Sequence, residues 1–372
     1  MRIGFDAKRA FFNYSGLGNY SRNIIHYLSY YHPENEYHLY IPYKSLTSSF
    51  KDLSDQQIIY PETPLSKLFP SLWRSYFLPA RLHSDNIQLY HGLSNEIPFG
   101  IHKFKIKSVV TIHDLIFLRH PEWYNPIDRL IYKKKTLYSC RNATRIIAIS
   151  NQTKDDIIEF YKIDPGKIDV VYQGCDPQFY KESSGSGKEE ILKKYNLSAG
   201  YLLHVGTVQE RKNLLNIVKA IHSGKISKTL VVIGRQTRYA RKVKKYISTH
   251  NLKNIRFLEN VPNQDLPALY QMASLFIYPS VFEGFGIPIL EALYSRIPVI
   301  TTSGGCFIEA GGMHSIYIDP GNIDQISDSI KEVLNNNELR LNMIIKGYDH
   351  ALRFNDRIIA ENIINVYRSC LK

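Results

Sequence analysis

The stretch Ser274–Leu293, SLFIYPSVFEGFGIPILEAL, holds the end of a strand, a turn and the start of a helix. Its apolar run closes near Pro279. Pro288 suits a first helical turn, where its missing N–H would be unpaired in any case. Between them, Gly284 and Gly286 allow close approach to a ligand and backbone angles that other residues avoid. Glu283 therefore belongs in a loop at a strand's carboxyl end, and Glu291 in the first turns of the helix. The free N–H groups and positive helix end between the two carboxylates suit a phosphate oxygen. The carboxylates suit hydroxyl groups on either side of it. A phosphate flanked by two polyols is the outline of a nucleotide-sugar, with ribose on one side and the transferred sugar on the other.

Outward from this stretch, strand–helix alternation runs through the chain twice. RIGFDA, EYHLYIP, IQLYHG, KSVVTIHDL and TRIIAIS read as short apolar strands of the first half. YSGLGNYSRNIIHYLSYY reads as a loop through Tyr14, Gly16 and Gly18 that turns into a helix, and NQTKDDIIEFY as another helix, opened by Ser150 or Asn151. The polar run YKESSGSGKEE, residues 180–190, interrupts the pattern. Alternation then resumes with GYLLHVGTV, KTLVVIG, IRFLENVP, SLFIYPS, IPVITTS and SIYIDP. The expected fold class is α/β, with two doubly wound, Rossmann-like domains facing across a cleft. Residues 1–172 form the first and acceptor-side domain, residues 173–199 a linker region, and residues 200–350 the second, nucleotide-sugar-binding domain. Residues 351–372 read as a last helix, and resemblance to two-domain folds of this kind implies that it returns to the first domain. Ligands of such sheets sit outside the carboxyl ends of the strands.

Composition narrows the class. The chain has 372 residues, 44% of them hydrophobic, enough for two cores. The first twelve residues lack a basic segment followed by an apolar one, so no signal peptide is expected, and no run is long enough to suggest a membrane span. Cys140, Cys175, Cys306 and Cys370 are widely spread, which argues against a disulfide framework or zinc site and fits a reducing cytoplasm. Net charge is +13, divided as +6 over residues 1–172 and +7 over the rest. That even spread argues against a nucleic-acid arm, while leaving open a phosphorylated ligand or an anionic membrane surface.

Other segments carry weaker signals. In HVGTVQERKN, Arg211 and Lys212 stand at the start of a helix, where the helix dipole does not favour cations. An arriving diphosphate would account for them; a solvated pair is the plain alternative. Gly16 and Gly18 in YSGLGNYS imitate a dinucleotide fingerprint, but Ser21 replaces its third glycine, and a tight turn explains them equally well. His113 and Asp114 end one strand and His91 ends another, with Asn95 and Glu96 just beyond it. The segment SSGSGKEE lacks the spacing of a phosphate loop. RQTRYARKVKKY, residues 235–246, reads as a solvated basic helix. KLFPSLWRSYFLPARL, residues 67–82, mixes aromatic and basic side chains that either pack inward or face a bilayer.

The chain resembles the family-4 retaining glycosyltransferases of the two-domain GT-B fold, whose signature is two glutamates with seven residues between them, as at Glu283 and Glu291. The resemblance runs from the first strand to the last helix and is nearest to mannosyltransferase-type members. It implies that Glu283 holds donor-sugar hydroxyls, that Glu291 binds the ribose, and that the amides of Phe285 and Gly286 line the sugar pocket. Arg211 and Lys212 would meet the donor phosphates, with Gly16, Gly18, Gly206 and Gly234 near them. Some relatives carry arginine directly after Gly206; this chain has Thr207, which shifts phosphate binding towards Arg211, Lys212 and Arg235. Main-chain atoms around Val261 would meet the base, and His113 a donor-sugar hydroxyl. His91, Asn95 and Glu96 are assigned to the acceptor side. Asp114 either orients His113 or caps a turn.

The expected catalytic set is thus Glu283, His113, Arg211 and Lys212, with no metal and no cofactor beyond the donor. GDP-mannose is the first donor expected, with UDP-sugars close behind. The acceptor expected is a surface polysaccharide or lipid-linked oligosaccharide, as in lipopolysaccharide biosynthesis. The enzyme would be cytoplasmic or peripheral at the inner face of the membrane, with no nucleic-acid partner. Rival readings are a nucleotide-sugar epimerase on the same fold, a dinucleotide oxidoreductase, and a non-catalytic polyanion-binding protein.

Overall fold

In the computed structural model, residues 1–13, 15–43 and 57–372 are described; Tyr14, expected in the first loop, lies outside them. The chain divides into two compact units, Met1–Gln173 with Asp356–Lys372, and Gly174–Asn355.

The first unit holds seven parallel strands: β1 (Arg2–Asp6), β2 (Glu36–Tyr40), β3 (Gln57–Ile59), β4 (Leu89–Gly92), β5 (Lys107–Ile112), β6 (Arg145–Ala148) and β7 (Ile168–Val170). Their order is β3-β2-β1-β4-β5-β6-β7. Beyond their first residue the inner strands are buried, because helices cover both faces of the sheet. Helix α1 (Gly16–Tyr31) buries Ile24, Ile25 and Leu28 on one face. Helix α2 (Pro126–Asn142) starts from Asn125, whose side chain accepts from the Ile127 amide. The helix after β6 is capped by Ser150 rather than Asn151: the Ser150 hydroxyl accepts from the Thr153 amide at 3.0 Å.

The second unit holds β8 (Tyr201–Val205), β9 (Leu230–Ile233), β10 (Ile255–Leu258), β11 (Ala273–Tyr278), β12 (Val299–Thr302) and β13 (Ile316–Ile318), in the order β10-β9-β8-β11-β12-β13. The Gly/Ser-rich run expected as linker is instead helix α3 (Gly185–Tyr195), capped by Ser184 and closed by Asn196 in the left-handed region. Composition misled here because a serine followed by glycines serves an N-cap as well as a flexible chain. Helix α4 (Leu214–Ser223) follows β8, and helix α5 (Ile287–Tyr294) follows β11. Helix α6 (Asp356–Leu371) belongs to the first unit, where Ile359, Ile363, Ile364 and Tyr367 join its core. Among the described residues, no helix is long and apolar enough to cross a membrane.

Strand order positions the site. In the second sheet the winding direction reverses between β8 and β11, which is the switch point outside which ligands of such sheets bind. Leu203 of β8 pairs with Phe276 of β11, which brings the Gly206–Asn213 and Pro279–Gly286 loops side by side.

Candidate active site

Those two loops are stitched together. The Arg211 carbonyl accepts from the Val281 amide at 2.7 Å and from the Ser280 hydroxyl at 3.1 Å. The stitching brings two adjacent cations onto a carboxylate 71 or more residues away in sequence. Arg211 Nη1 lies 2.6 Å, and Lys212 Nζ 2.5 Å, from Oε1 of Glu283. Ser280 donates to the same oxygen at 2.5 Å and Tyr278 at 3.2 Å. Arg211 also reaches the Phe282 carbonyl, and Lys212 packs over the Tyr278 ring at 4.6 Å while donating to its hydroxyl.

Glu283 and Lys212 are both buried, and Arg211 is half-buried. Burial alone would raise the Glu283 carboxyl, but Lys212 and then Arg211 outweigh it and hold it down to about 2. Burial pushes Lys212 down to about 8, against the pull of Glu283. Two cations against one carboxylate leave an excess positive charge at the mouth of a parallel sheet. That excess suits a polyanion such as a diphosphate.

Gly286 caps helix α5 with φ +120°, a conformation costly for any side chain. Beneath it Cys306 donates to the Glu283 carbonyl at 3.2 Å, and Phe285 is buried against Phe354. Glu291 keeps part of its surface open and accepts from the Tyr270 hydroxyl at 2.7 Å. Burial nevertheless raises its carboxyl to about 7. The two glutamates thus differ in kind: one is locked as an anion, the other is poised to titrate near neutrality.

On the β8–β9 side, Gly206 and Gly234 touch back to back. A Cβ on Gly234 would stand 2.1 Å from the Gly206 carbonyl, so the turn admits no side chain there. Thr207 is half-buried and Arg235 exposed, and the Arg235 carbonyl accepts from the Val208 amide. Val261 lies in the loop after β10, partly exposed. All of these belong to the carboxyl edge of the second sheet.

In the first unit the expected residues separate. His113 is buried, with Nε2 2.8 Å from the Leu93 carbonyl, so that nitrogen carries the proton and Nδ1 is left as an acceptor. Burial lowers its pKa to about 4 and keeps it neutral. Asn95 holds it from behind, its side-chain oxygen accepting from the His113 amide at 2.9 Å. Asp114 accepts from the Ile116 amide, which is the capping alternative. Glu96 is engaged by Arg74 at 2.7 Å and Lys135 at 3.4 Å, and Arg74 also pairs with Asp6 at 2.6 Å.

Two expectations need correcting. His91 is not an acceptor-side residue: it is fully buried, with Nδ1 2.6 Å from the Tyr367 hydroxyl and Nε2 2.8 Å from Thr111 Oγ1. Gly16 and Gly18 lie inside the first turn of α1 rather than in a loop before it. A Cβ on Gly18 would strike the Asn13 carbonyl, which gives that glycine a packing reason of its own, whereas nothing crowds Gly16.

Sequence reading missed the residues that hold the glutamates: Tyr278 and Ser280 on Glu283, and Tyr270 on Glu291. Tyr278 and Ser280 stood in the opening stretch, but their polar ends carry no motif. Among the described residues, no group of three or more His, Cys, Asp or Glu side chains could hold a metal ion.

Comparison with known proteins identifies the family and the fold. Residues 15–179 match the model of "Glycosyltransferase Family 4", and residues 187–350 that of "Glycosyl transferases group 1". O-antigen chain mannosyltransferase B of Escherichia coli is 29% identical over 287 residues, covering 75% of this chain and 74% of that protein. O-antigen chain mannosyltransferase RfbU of Salmonella typhimurium is 26% identical, covering 78% and 79%. The crystal structure of Anabaena HepE in complex with UDP superposes with a TM-score of 0.77 at 16% identity, covering 99% of this chain and 100% of that one, a likeness of fold.

Proposed function

Because this chain belongs to the family-4 glycosyltransferases of the GT-B fold, we propose that it transfers mannose from GDP-mannose to a hydroxyl of a surface polysaccharide or lipid-linked oligosaccharide, with retention at the anomeric carbon. The observation that carries this reading is the excess positive charge gathered on Glu283 at the switch point of the second sheet. The donor diphosphate would meet Arg211, Lys212 and the start of α5. Glu283 and His113 would hold hydroxyls of the sugar, Glu291 those of the ribose, and the loop at Val261 the base.

In this mechanism the bond between the anomeric carbon and the phosphate oxygen breaks as Arg211 and Lys212 take up the charge of the departing diphosphate. The acceptor hydroxyl oxygen bonds to the anomeric carbon from the same face, and its proton passes to the departing phosphate oxygen. Arg211 and Lys212 do the neutralisation that a divalent ion would do elsewhere. The mannose assignment is favoured by the O-antigen mannosyltransferases matched over most of their length. A UDP-sugar is the second reading, favoured by the UDP-bound fold relative.

A thermal-shift panel of GDP- and UDP-sugars tests the donor, since a ligand bound only by the folded form raises the melting temperature. GDP-mannose is expected to give the largest shift. Sugar transfer should then proceed undiminished in excess chelator. Loss of transfer with recovery on magnesium would refute the metal-free mechanism, and a converted nucleotide-sugar without any acceptor would indicate an epimerase.

Glu291 makes donor binding depend on pH with a defined sign. Its carboxyl titrates near 7, and only the ionised form accepts from both ribose hydroxyls. Between pH 6 and pH 8 the ionised fraction rises about tenfold. Glu291 alone would tighten the calorimetric Kd for GDP-mannose about tenfold over that interval, and Lys212, held at about 8, loses about half its charge by pH 8 and opposes it about twofold. A tightening of about fivefold is expected, and Glu291→Gln should turn it into a weakening of about twofold. In the ligand-free protein the sign is opposite. A carboxyl raised from 4.5 to about 7 withdraws stability as pH rises through that window.

A further inference from the structure

The second unit holds a cavity of about 210 Å³, and no residue of the two stitched loops lines it. One wall is aromatic. Tyr180 and Tyr294 pack at 4.4 Å between ring centroids, and Tyr348 meets Tyr294 edge-on at 6.2 Å. Helix α5 sets the distance from the loops around Glu283. Gly286 caps its first end and Tyr294 is its last residue, about 12 Å further along the axis.

Another wall is the segment that leads into α3. Gln271 pins it: the side-chain oxygen accepts from the Ser183 amide and the side-chain nitrogen donates to the Lys181 carbonyl, both at 2.9 Å. Lys188 of α3 closes on Glu182 at 3.0 Å. Ser295, just past the end of α5, also lines the space. It is 4% exposed, and its hydroxyl has no hydrogen-bond partner among the described residues. Buried polar groups are nearly always paired, so this hydroxyl calls for a polar occupant.

Charge and size select the occupant. Lys181, Lys188 and Arg296 line the cavity with Glu182 as the sole acid, an excess of two positive charges. Glu182 engages Lys188, while Lys181 and Arg296 are exposed at the mouth. The Arg296 guanidinium lies over the Tyr348 ring at 4.1 Å, which leaves the donors along its edge directed away from the ring. A volume of about 210 Å³ falls below the about 300 Å³ at which pockets for drug-sized ligands begin, so one sugar unit fits and a nucleotide-sugar does not. Tyrosine rings suit the apolar faces of a pyranose, buried polar groups its hydroxyls, and the two cations a phosphate. We propose that this cavity is a second carbohydrate site, which takes a hexose carrying a phosphate, either free or as a unit of a glycan. Its existence does not depend on the transferase reading.

Calorimetric titration of the full chain with mannose 6-phosphate and with glucose 6-phosphate, in saturating GDP to fill the donor crevice, tests it. Saturable binding of at least one is expected, with a Kd below about 1 mM. Mannose, glucose and inorganic phosphate should each bind at least about tenfold more weakly, since each supplies only part of the contacts. Arg296→Gly should weaken binding about tenfold, and Lys181→Gln with Arg296→Gly about a hundredfold, one charge-assisted contact being lost at each position. Both side chains are exposed, and the Arg296 φ of +57° suits glycine. The melting temperature and its shift by GDP should therefore be unchanged in both variants.

Absence of saturable binding by either sugar phosphate would overturn the proposal. So would binding that Arg296→Gly leaves intact or that GDP displaces, since the ligand would then lie in the donor crevice. Inorganic phosphate bound as tightly as the sugar phosphate would reduce the cavity to an anion contact and overturn it too. The methyl glycoside of the 6-phosphate that binds separates the two sources. Undiminished binding supports a unit linked within a glycan, and rejection supports a free sugar phosphate. Transfer without this binding defeats only the second site, and this binding without transfer defeats only the functional reading.

Discussion

Glu283→Gln should lower transfer by about a hundredfold or more and unfolding free energy by about 3–5 kcal/mol. Both effects have one origin. The substitution removes the counter-charge on which Arg211 and Lys212 converge, and leaves two cations facing one another in a largely buried site. On the proposed reading a nucleoside diphosphate would bring negative charge to the same place. GDP should therefore raise the melting temperature of the variant by more than it raises that of the wild type. Sign and window follow from the carboxyl being held at about 2 against an ordinary 4.5. The stabilisation is complete above about 4.5 and lost as pH falls towards 2, so the stability difference between wild type and variant should close in acid. Turnover near the wild-type level in a variant that is merely less stable would reduce Glu283 to a structural counter-ion.

Such a cluster marks the limit of what could be read from the residues alone. The inner strands were legible because strands buried on both faces are uninterrupted apolar runs, as at Leu202, Leu203 and Val231. The edges of the first sheet were not: β3 and β7 are three residues each and carry Gln57 and Asp169 within them. The Ser274–Leu293 stretch raised the expectation of a ligand site through its glycines and paired acids. That Glu283 would be held by Arg211 and Lys212 needed the β8–β11 pairing, which no local pattern encodes. His91 illustrates the converse error. A histidine at a strand's carboxyl end looked ligand-facing, yet its ring turns towards a tyrosine 276 residues later. Position along a strand was readable, whereas the face of the pleat depended on what packs there.

That distant tyrosine makes the last helix indispensable to the first unit. Removing residues 356–372 should unfold the unit or leave it molten. Helix α6 buries Ile359, Ile363, Ile364 and Val366 there. At about 1.5–3 kcal/mol for each such side chain, the four come to about 6–12 kcal/mol, against a whole-domain stability of about 5–15 kcal/mol. The loss is also polar. Tyr367, His91, Thr111 and Tyr20 form a buried chain of hydrogen bonds, and deletion opens it at one end. Tyr367→Phe isolates that term. It leaves the buried Nδ1 of His91 without its partner at about 1–3 kcal/mol, while the apolar contacts of the ring stay. The second unit has its own core around Leu202, Ile217, Val232 and Ile300. Calorimetry of the truncated chain should therefore lose the transition of the first unit and keep one that GDP-mannose still raises. A truncated chain that melts like the full one would show that α6 adds nothing to the core it enters.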